Sequence, residues 1–258
     1  MEPLLTPEQF RALEQMDTCA VANAIETFQV RLRNEGFSSD NGVKCIFKHL
    51  RPMLGYAVTG RIQTAAPPIA SSLPPPHQLR FSDHTDWWNY VLSIPEPRIV
   101  VMQDVDRSPG VGSFMGEVHA TICRALGCVA YVTNGAVRDL EAAEQMGFHF
   151  FAGHISVSHA YAHVVEFGAT VEVGGLTVHP GDLVHGDRHG IQTIPSHIAA
   201  QIPPRVDLLK RREQAVLDFC RSPQFSVKGL QALVKELESS LFGDLGSRHS
   251  SEIYKEQQ

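Results

Sequence analysis

RIVVMQD (98–104), EVHATICRALG (117–127), CVAYVTN (128–134) and VRDLEAAEQMG (137–147) follow one another, with glycines near the joints. The first and third are short apolar runs rich in β-branched residues. The second and fourth repeat their apolar residues at helical spacing, so the order reads strand, helix, strand, helix. Such alternation marks a parallel sheet covered by helices. It sets the expected fold class as α/β.

Working outward, Thr6-Pro7-Glu8-Gln9 carries a capping threonine, a proline at the first helical position and a glutamine three residues after the cap, so a helix starts there. Asp17 or Thr18 caps a second helix through CAVANAIETF, and GYAVTGRIQT (55–64) alternates as a strand. Pro67-Pro68 and Pro74-Pro75-Pro76 mark a surface loop, and SDHTDWWNYVLSI (82–94) reads as a short helix whose Trp87 and Trp88 serve packing. After Phe148 the chain turns to short β segments, with Gly174-Gly175 as a hairpin turn within FGATVEVGGLTVHPGDLVHGDRHGIQTIP (167–195). Beyond Pro195 it turns helical, is broken at Pro203-Pro204, and resumes through VDLLKRREQAVLDF and VKGLQALVKELES before a polar, frayed tail of about a dozen residues. No repeat and no long linker interrupts it. The expectation is one domain over 1–258, with a core at about 17–200 and a C-terminal helical extension at about 204–240.

Composition bounds the function. Hydrophobic residues make up 43% and charged residues 19% of 258 positions, an ordinary globular balance. The formal charge of −6 argues against a nucleic-acid partner, because phosphate binding needs clustered positive charge, and Lys210-Arg211-Arg212 reads as a solvated helix face. The start MEPLLTPEQF has no secretory pattern, and the apolar runs fall far short of the roughly 18 residues that span a bilayer. A cytoplasmic protein with no membrane partner is expected. Five scattered cysteines without a CxxC pair indicate reduced, mostly buried thiols, with Cys123 and Cys128 in the core.

The chemistry concentrates at GVGSFMGEVH (110–119) and VTNGAVRDL (132–140), where Arg138-Asp139 begins 21 positions after Glu117. A strand ending at Asn134-Gly135 delivers Arg138 and Asp139 to the C-terminal edge of the sheet, where open α/β sheets place ligands. Glu117 opens a helix whose first-turn amides favour an anion. Arg138 can grip a carboxylate with two parallel hydrogen bonds. Asp139 is a hard oxygen ligand suited to Mg²⁺ or Mn²⁺, and an ion with few protein ligands keeps waters and chelates substrate. Held against a 2-oxo acid, it would stabilise the enolate charge that develops as a C–C bond breaks, with Glu117 acting on a nearby water. The plainer alternative is that Arg138-Asp139 is a helix cap with a surface ion pair and Glu117 another cap.

These residues also carry a resemblance. GEVHATICRALGCVAYVTNGAVRDL (116–140), CAVANAIE near the start, GYAVT (55–59) and VEVGGLTVHPGDLVHGDRHGIQTIP (171–195) together resemble the RraA-like family over about 17–200. That family includes 4-hydroxy-4-methyl-2-oxoglutarate (HMG) aldolase and the regulators of ribonuclease E activity. The resemblance implies a swivelling β/β/α sandwich with N-terminal and C-terminal helical extensions, assembled as a homotrimer or hexamer with sites at subunit clefts. It implies a class II, metal-dependent aldolase that cleaves 4-hydroxy-2-oxo acids to pyruvate and a second oxo acid, or decarboxylates oxaloacetate. Asp139 would bind the metal, Arg138 would orient the pyruvoyl part and Glu117 would hold the catalytic water. Amides of the 113–119 loop, at Gly116, Val118 and His119, would receive the substrate carboxylate. The ribonuclease regulators typically lack the aspartate after the arginine, so Asp139 favours an enzyme. The other readings are a non-catalytic regulator that binds a ribonuclease or helicase, and a related enzyme acting on another 2-oxo or sugar acid.

The chain departs from the family at the 65–88 insertion, at the long C-terminal helices and at Asp187-Arg188-His189, where only Asp187 matches an acidic run and reads as a turn former. Thirteen histidines include His154, His159 and His163 close together and His185 and His189 four apart. The pair at 185 and 189 sits in a β-turn region and 159 and 163 in an irregular or strand-like segment, not on one helix face, so they read as polar surface histidines and not as a second metal site.

Overall fold

The computed structural model describes residues 5–39, 42–67 and 84–249. The chain forms two compact units, Met1–Pro203 and Pro204–Gln258. The proline loop expected at 74–76 and the tail beyond 249 lie outside the described residues.

The first unit opens with helices α1 (Pro7–Glu14) and α2 (Thr18–Glu26), then strands β1 (Lys44–Cys45) and β2 (Met53–Gln63) and helix α3 (His84–Ser93). The alternating segment follows as β3 (Arg98–Asp104), β4 (Ser113–Met115), α4 (Glu117–Ala125), β5 (Cys128–Val137), α5 (Leu140–Gln145) and β6 (His149–Ile155). Strands β7 (His163–Phe167), β8 (Val171–Val173), β9 (Leu176–Val178), β10 (Leu183–Asp187) and β11 (Gly190–Ile194) complete the β structure. A 3₁₀ turn over Ser196–Gln201 precedes α6 (Ile202–Arg221) and α7 (Val227–His249). The capping box on α1 forms as expected: Thr6 Oγ1 accepts from Gln9 N at 3.3 Å and Gln9 Oε1 accepts from Thr6 N at 2.9 Å.

The main sheet runs β1-β6-β5-β3-β2-β10-β11, with β4 added to β5 and β7 to β2. Its centre, β2, β3, β5 and β6, is parallel, so all four strands present their C-terminal ends to one edge. Both faces are covered, which is why β3 and β5 are near-continuous apolar runs. On one face the β8–β9 hairpin lays Val171, Val173, Leu176 and Val178 over Ala57, Ile99, Val101, Ala130, Val132 and Phe151. That hairpin turns at Gly174 and Gly175, with φ of 61° and 74°, a pair of left-handed residues that a two-residue turn needs. Trp87 of α3 packs on Tyr90 and Phe167, each at 5.9 Å between ring centres, in agreement with a packing role.

Three features correct the sequence reading. Strand β5 runs on to Val137, past Asn134-Gly135. Pro203 and Pro204 do not break a helix; they occupy the first turn of α6, where the missing N–H groups have no intrahelical acceptor anyway. His185 is not a surface residue: it is fully buried in β10, its Nδ1 3.1 Å from Thr18 Oγ1. It belongs to a buried polar cluster that seats the start of α2 on the β10–β11 hairpin, since Asp187 Oδ2 accepts from Thr18 N at 2.9 Å and Gln192 Nε2 donates to Thr18 O at 2.7 Å. Asp187 Oδ1 also accepts from His189 N at 2.8 Å, so the turn-forming role holds alongside the capping one.

Of the cysteines, Cys45, Cys123 and Cys128 are buried, whereas Cys19 and Cys220 are exposed. Among the described residues no helix is long and apolar enough to cross a membrane. In the second unit, α6 and α7 are joined by a short turn closed by Phe219 and Phe225, 6.1 Å apart.

A second buried imidazole gives the first unit a pH dependence. His149 is 7% exposed and stacks on Phe151, and burial pushes its pKa down to about 4. Between about 6.5, where a histidine titrates in an unfolded chain, and about 4, the unfolded state binds more protons than the folded one, so stability falls as pH drops through that window. Urea unfolding is expected to lose up to about 3 kcal/mol from this group between those limits, with a shallower slope in His149→Phe. Equal slopes in the two proteins would show that His149 takes its proton in the folded state.

Candidate functional site

The site is assembled where β4 lies beside the end of β5. Their parallel register sets Ser113 against Ala136 and Met115 against Val137, and Arg138 N continues the ladder by donating to Met115 O at 3.1 Å. The next residues on each side are therefore forced together: Gly116-Glu117 at the start of α4 and Arg138-Asp139 before α5. Asp139 takes a left-handed backbone, φ 53° and ψ 48°, which aspartate tolerates better than most residues. Although Asp139 stands at the N-cap of α5, its side chain makes no bond to that helix. Instead Asp139 Oδ2 accepts from Glu117 N at 3.0 Å, so it caps α4 from another segment.

Gly116 makes this possible. It is the N-cap residue of α4 and has no side chain to offer the first turn; a Cβ there would stand 2.5 Å from Asp139 Oδ2 and 3.0 Å from Arg138 Nε. Arg138 Nε also lies 3.5 Å from Asp139 Oδ2, with both side chains a little over one third exposed. The terminal guanidinium nitrogens of Arg138 and Oδ1 of Asp139 make no hydrogen bond to the described residues. Glu117 is exposed, Val118 is 70% exposed, and His119 stacks on Phe114 at 4.9 Å. All of the predicted site residues thus gather at one sheet edge, around the N-terminus of α4.

The loop into this site is held by two acids that the sequence reading passed over. Asp104, buried at the end of β3, accepts from Gly110 N at 2.9 Å and from Asp106 N at 3.1 Å. Burial pushes its pKa up, and those two amides oppose the shift. Asp106 Oδ2 accepts from Thr64 N, Thr64 Oγ1 and Ala65 N at 2.7, 3.0 and 2.8 Å. Burial raises the Asp106 pKa, but these bonds outweigh it and hold the group below the usual range. The signal was present in QDVDRSPG (103–110), two acids closing a proline-glycine turn after a strand.

Among the described residues no three histidine, cysteine or acidic side chains cluster to hold a metal. His159 Nδ1 and His163 Nδ1 lie 2.8 and 2.7 Å from the carbonyls of Ala160 and Tyr161, local turn contacts. The donor set at the candidate site is one free carboxylate oxygen on Asp139. That does not suit a structural zinc, but it fits Mg²⁺ or Mn²⁺, which keep several waters and share their coordination with a substrate.

With this geometry, comparison with known proteins is informative. The sequence profile of the RraA-like family, described as Aldolase/RraA, matches residues 18–192. The chain belongs to the RraA-like family. A protein of Halalkalibacterium halodurans, provisionally named 4-hydroxy-4-methyl-2-oxoglutarate aldolase, is 28% identical over 81 residues, 31% of this chain and 39% of that relative. The match thus spans less than half of the relative's length. A crystal structure of an uncharacterized protein from Pseudomonas syringae pv. tomato superposes with a TM-score of 0.65 at 17% identity, covering 90% of this chain and 95% of the other. Streptomyces coelicolor RraAS2, described as an unusual member of the RNase ES inhibitor RraA protein family, gives 0.61 at 18% identity over 86% and 99% of the two chains. At these identities the two structures establish the RraA-like fold alone.

The geometry predicts a graded response at position 139. Asp139→Ala should cost about 1–2 kcal/mol, because it removes a cap and leaves a β-carbon in the left-handed region. Asp139→Asn, which keeps an acceptor and tolerates that backbone, should stay within about 0.5 kcal/mol of the parent. Gly116→Ala should resemble Asp139→Ala, because the new methyl displaces the carboxylate. Urea unfolding measures all three, and an alanine variant as stable as the asparagine one would show that the cap contributes nothing.

Proposed function

We propose that the chain is a divalent-metal-dependent carbon–carbon lyase of the HMG aldolase type, cleaving 4-hydroxy-2-oxo acids to pyruvate and a second oxo acid and decarboxylating oxaloacetate. The observation that supports this reading most is the convergence of Arg138, Asp139 and the N-terminus of α4 on one exposed edge. The H. halodurans relative adds support through its name.

In this reading Arg138 presents its terminal nitrogens to the carboxylate of the 2-oxo acid, while its Nε stays beside Asp139. The amides of Val118 and His119, in a first turn that has no intrahelical acceptors, and the small Gly116 let a substrate anion approach α4 closely. Asp139 would hold Mg²⁺ or Mn²⁺ through Oδ1, since Oδ2 is occupied by Glu117 N. When bound, the ion supplies Lewis-acid stabilisation of the negative charge that develops on the keto acid. Glu117, exposed at the first helical position, positions a water and moves its proton.

Oligomeric assembly as a trimer or hexamer belongs to the same proposal. The loops flanking the site are tied together by Ser113 N donating to Ser158 O at 3.0 Å, and they expose Val111 at 51%, Val118 at 70%, Ile155 at 62%, Val157 at 96% and Tyr161 at 55%. Apolar exposure of this kind around a site marks a surface for association. Light scattering after size exclusion should return a mass of three or six chains, and Val157→Asp should dissociate it with loss of activity. A monomeric, fully active protein would remove the assembly from the proposal.

Oxaloacetate decarboxylation with added Mg²⁺ tests the chemistry. Activity should vanish with EDTA and in Asp139→Asn, a variant expected to fold normally. Arg138→Lys should lose about tenfold or more in kcat/KM, because a point charge does not reproduce the two-pronged grip. Absence of turnover on every 2-oxo acid tried, together with tight binding of a ribonuclease or helicase, would replace the enzyme by a regulator.

A further inference from the structure

A second polar cleft of about 480 Å³ lies at the other side of the sheet, between residues 31–37, the β9–β10 turn and the end of β11. Its walls include Arg31, Asn34, Glu35, Thr177, His179 and Asp182. None of its lining residues belongs to the Arg138–Asp139 edge, and β11 stands four strands from β5 in the sheet order, so this cleft is separate from that edge.

Arg31 is the unusual member. Its Nη1 donates to Thr193 O at 2.9 Å and to Thr193 Oγ1 at 3.3 Å, which pins the side chain across the chain to β11. The guanidinium lies directly over Gly36, whose φ is +80° and where any Cβ would overlap Nη1, Cζ and Nε. Thr193 N in turn donates to Gly36 O at 3.0 Å. Glycine, guanidinium and strand edge therefore form one built unit. Yet among the described residues Arg31 has no carboxylate within ion-pair distance. Burial lowers its pKa, and the charge of Glu35 compensates only in part. A partly buried cation served only by a carbonyl and a hydroxyl keeps an unmet demand for an anion.

The rest of the cleft narrows the class of anion. His179 is held by Thr170 Oγ1 at Nδ1, 2.9 Å, and Asp182 Oδ2 accepts from His179 N at 2.8 Å, which leaves Nε2 and Oδ1 without a bond to the described residues. Glu35, whose charge acts on Arg31, and Asp182 in the wall of the same cleft disfavour a dianion such as phosphate and favour a ligand that brings its own donor.

We propose that this cleft binds a small hydroxy- or amino-carboxylic acid, with its carboxylate on Arg31 and its hydroxyl or ammonium on Asp182. Recognition of this kind makes it an effector or carrier site distinct from the proposed catalytic edge.

Isothermal titration of the full chain with L-lactate, L-alanine and inorganic phosphate tests it. One of the two organic acids should bind, phosphate should not, and the affinity should persist in Arg138→Ala. In Arg31→Gln, which keeps a donor for Thr193 O but no charge, binding should weaken about tenfold or more. Chemical-shift changes at the amides of Gly36, Thr177 and Thr193 in the unaltered protein give a readout that needs no variant. The proposal is overturned if neither acid shifts those amides, if Arg31→Gln binds as well as the parent, or if binding disappears in Arg138→Ala.

Discussion

The hydrogen bond from Glu117 N to Asp139 Oδ2 couples two helices that sequence proximity would leave independent. An aspartate just before a helix ordinarily caps that helix, and Asp139 stands in that position for α5. The left-handed backbone at 139 turns the carboxylate away from α5 and towards α4, whose own N-cap, Gly116, has nothing to offer. The ladder between β4 and β5 brings the two segments into reach, and the missing side chain of Gly116 leaves the room. Arg138, one residue earlier, is carried to the same edge by the same ladder. The ladder thus determines where a guanidinium, a carboxylate and a helix N-terminus meet, and the capping bond joins the last two.

Support for that bond comes from polar groups buried in matched sets. Asp104 and Asp106 accept five hydrogen bonds between them, from Gly110, Asp106, Thr64 and Ala65, and so hold the approach to β4 in place. Across the sheet, Thr18, His185, Asp187 and Gln192 do the same for the start of α2. Each set pairs polar groups that would otherwise be costly to bury, although Gln192 Oε1 has no partner among the described residues, and each ties residues far apart in the chain. The cleft around Arg31 differs, because there the charge is left without a counter-ion among the described residues.

Much of the architecture was legible because it follows from local pattern. The apolar runs at 98–104 and 128–134, the helical spacing at 117–127 and 137–147, the capping box at Thr6 and the glycine pair at 174–175 each correspond to an observed element. The errors also have physical reasons. Pro203 and Pro204 look like helix breakers unless one knows that a helix begins just before them, where prolines lack only N–H groups that had no partner. His185 looks like a polar surface residue because its alternating strand context does not reveal that α2 packs over that face and supplies Thr18 as a partner. The cluster of Glu117, Arg138 and Asp139 was legible as a spacing, and its chemistry remains a proposal.

Composition and periodicity alone determined the α/β class, the parallel centre of the sheet and the identity of the residues at its C-terminal edge, because strand and helix periods are properties of neighbouring residues. Only the tertiary structure decided that Asp139 caps α4 and not α5, that Asp104 and Asp106 brace the loop, that His149 and His185 are buried and that Arg31 lies over Gly36 with no acid among the described residues to pair with. Those outcomes depend on contacts between segments tens of residues apart, and the energy of a polar group is set by which partner reaches it and how much water is excluded, neither of which is written in the local order of the chain.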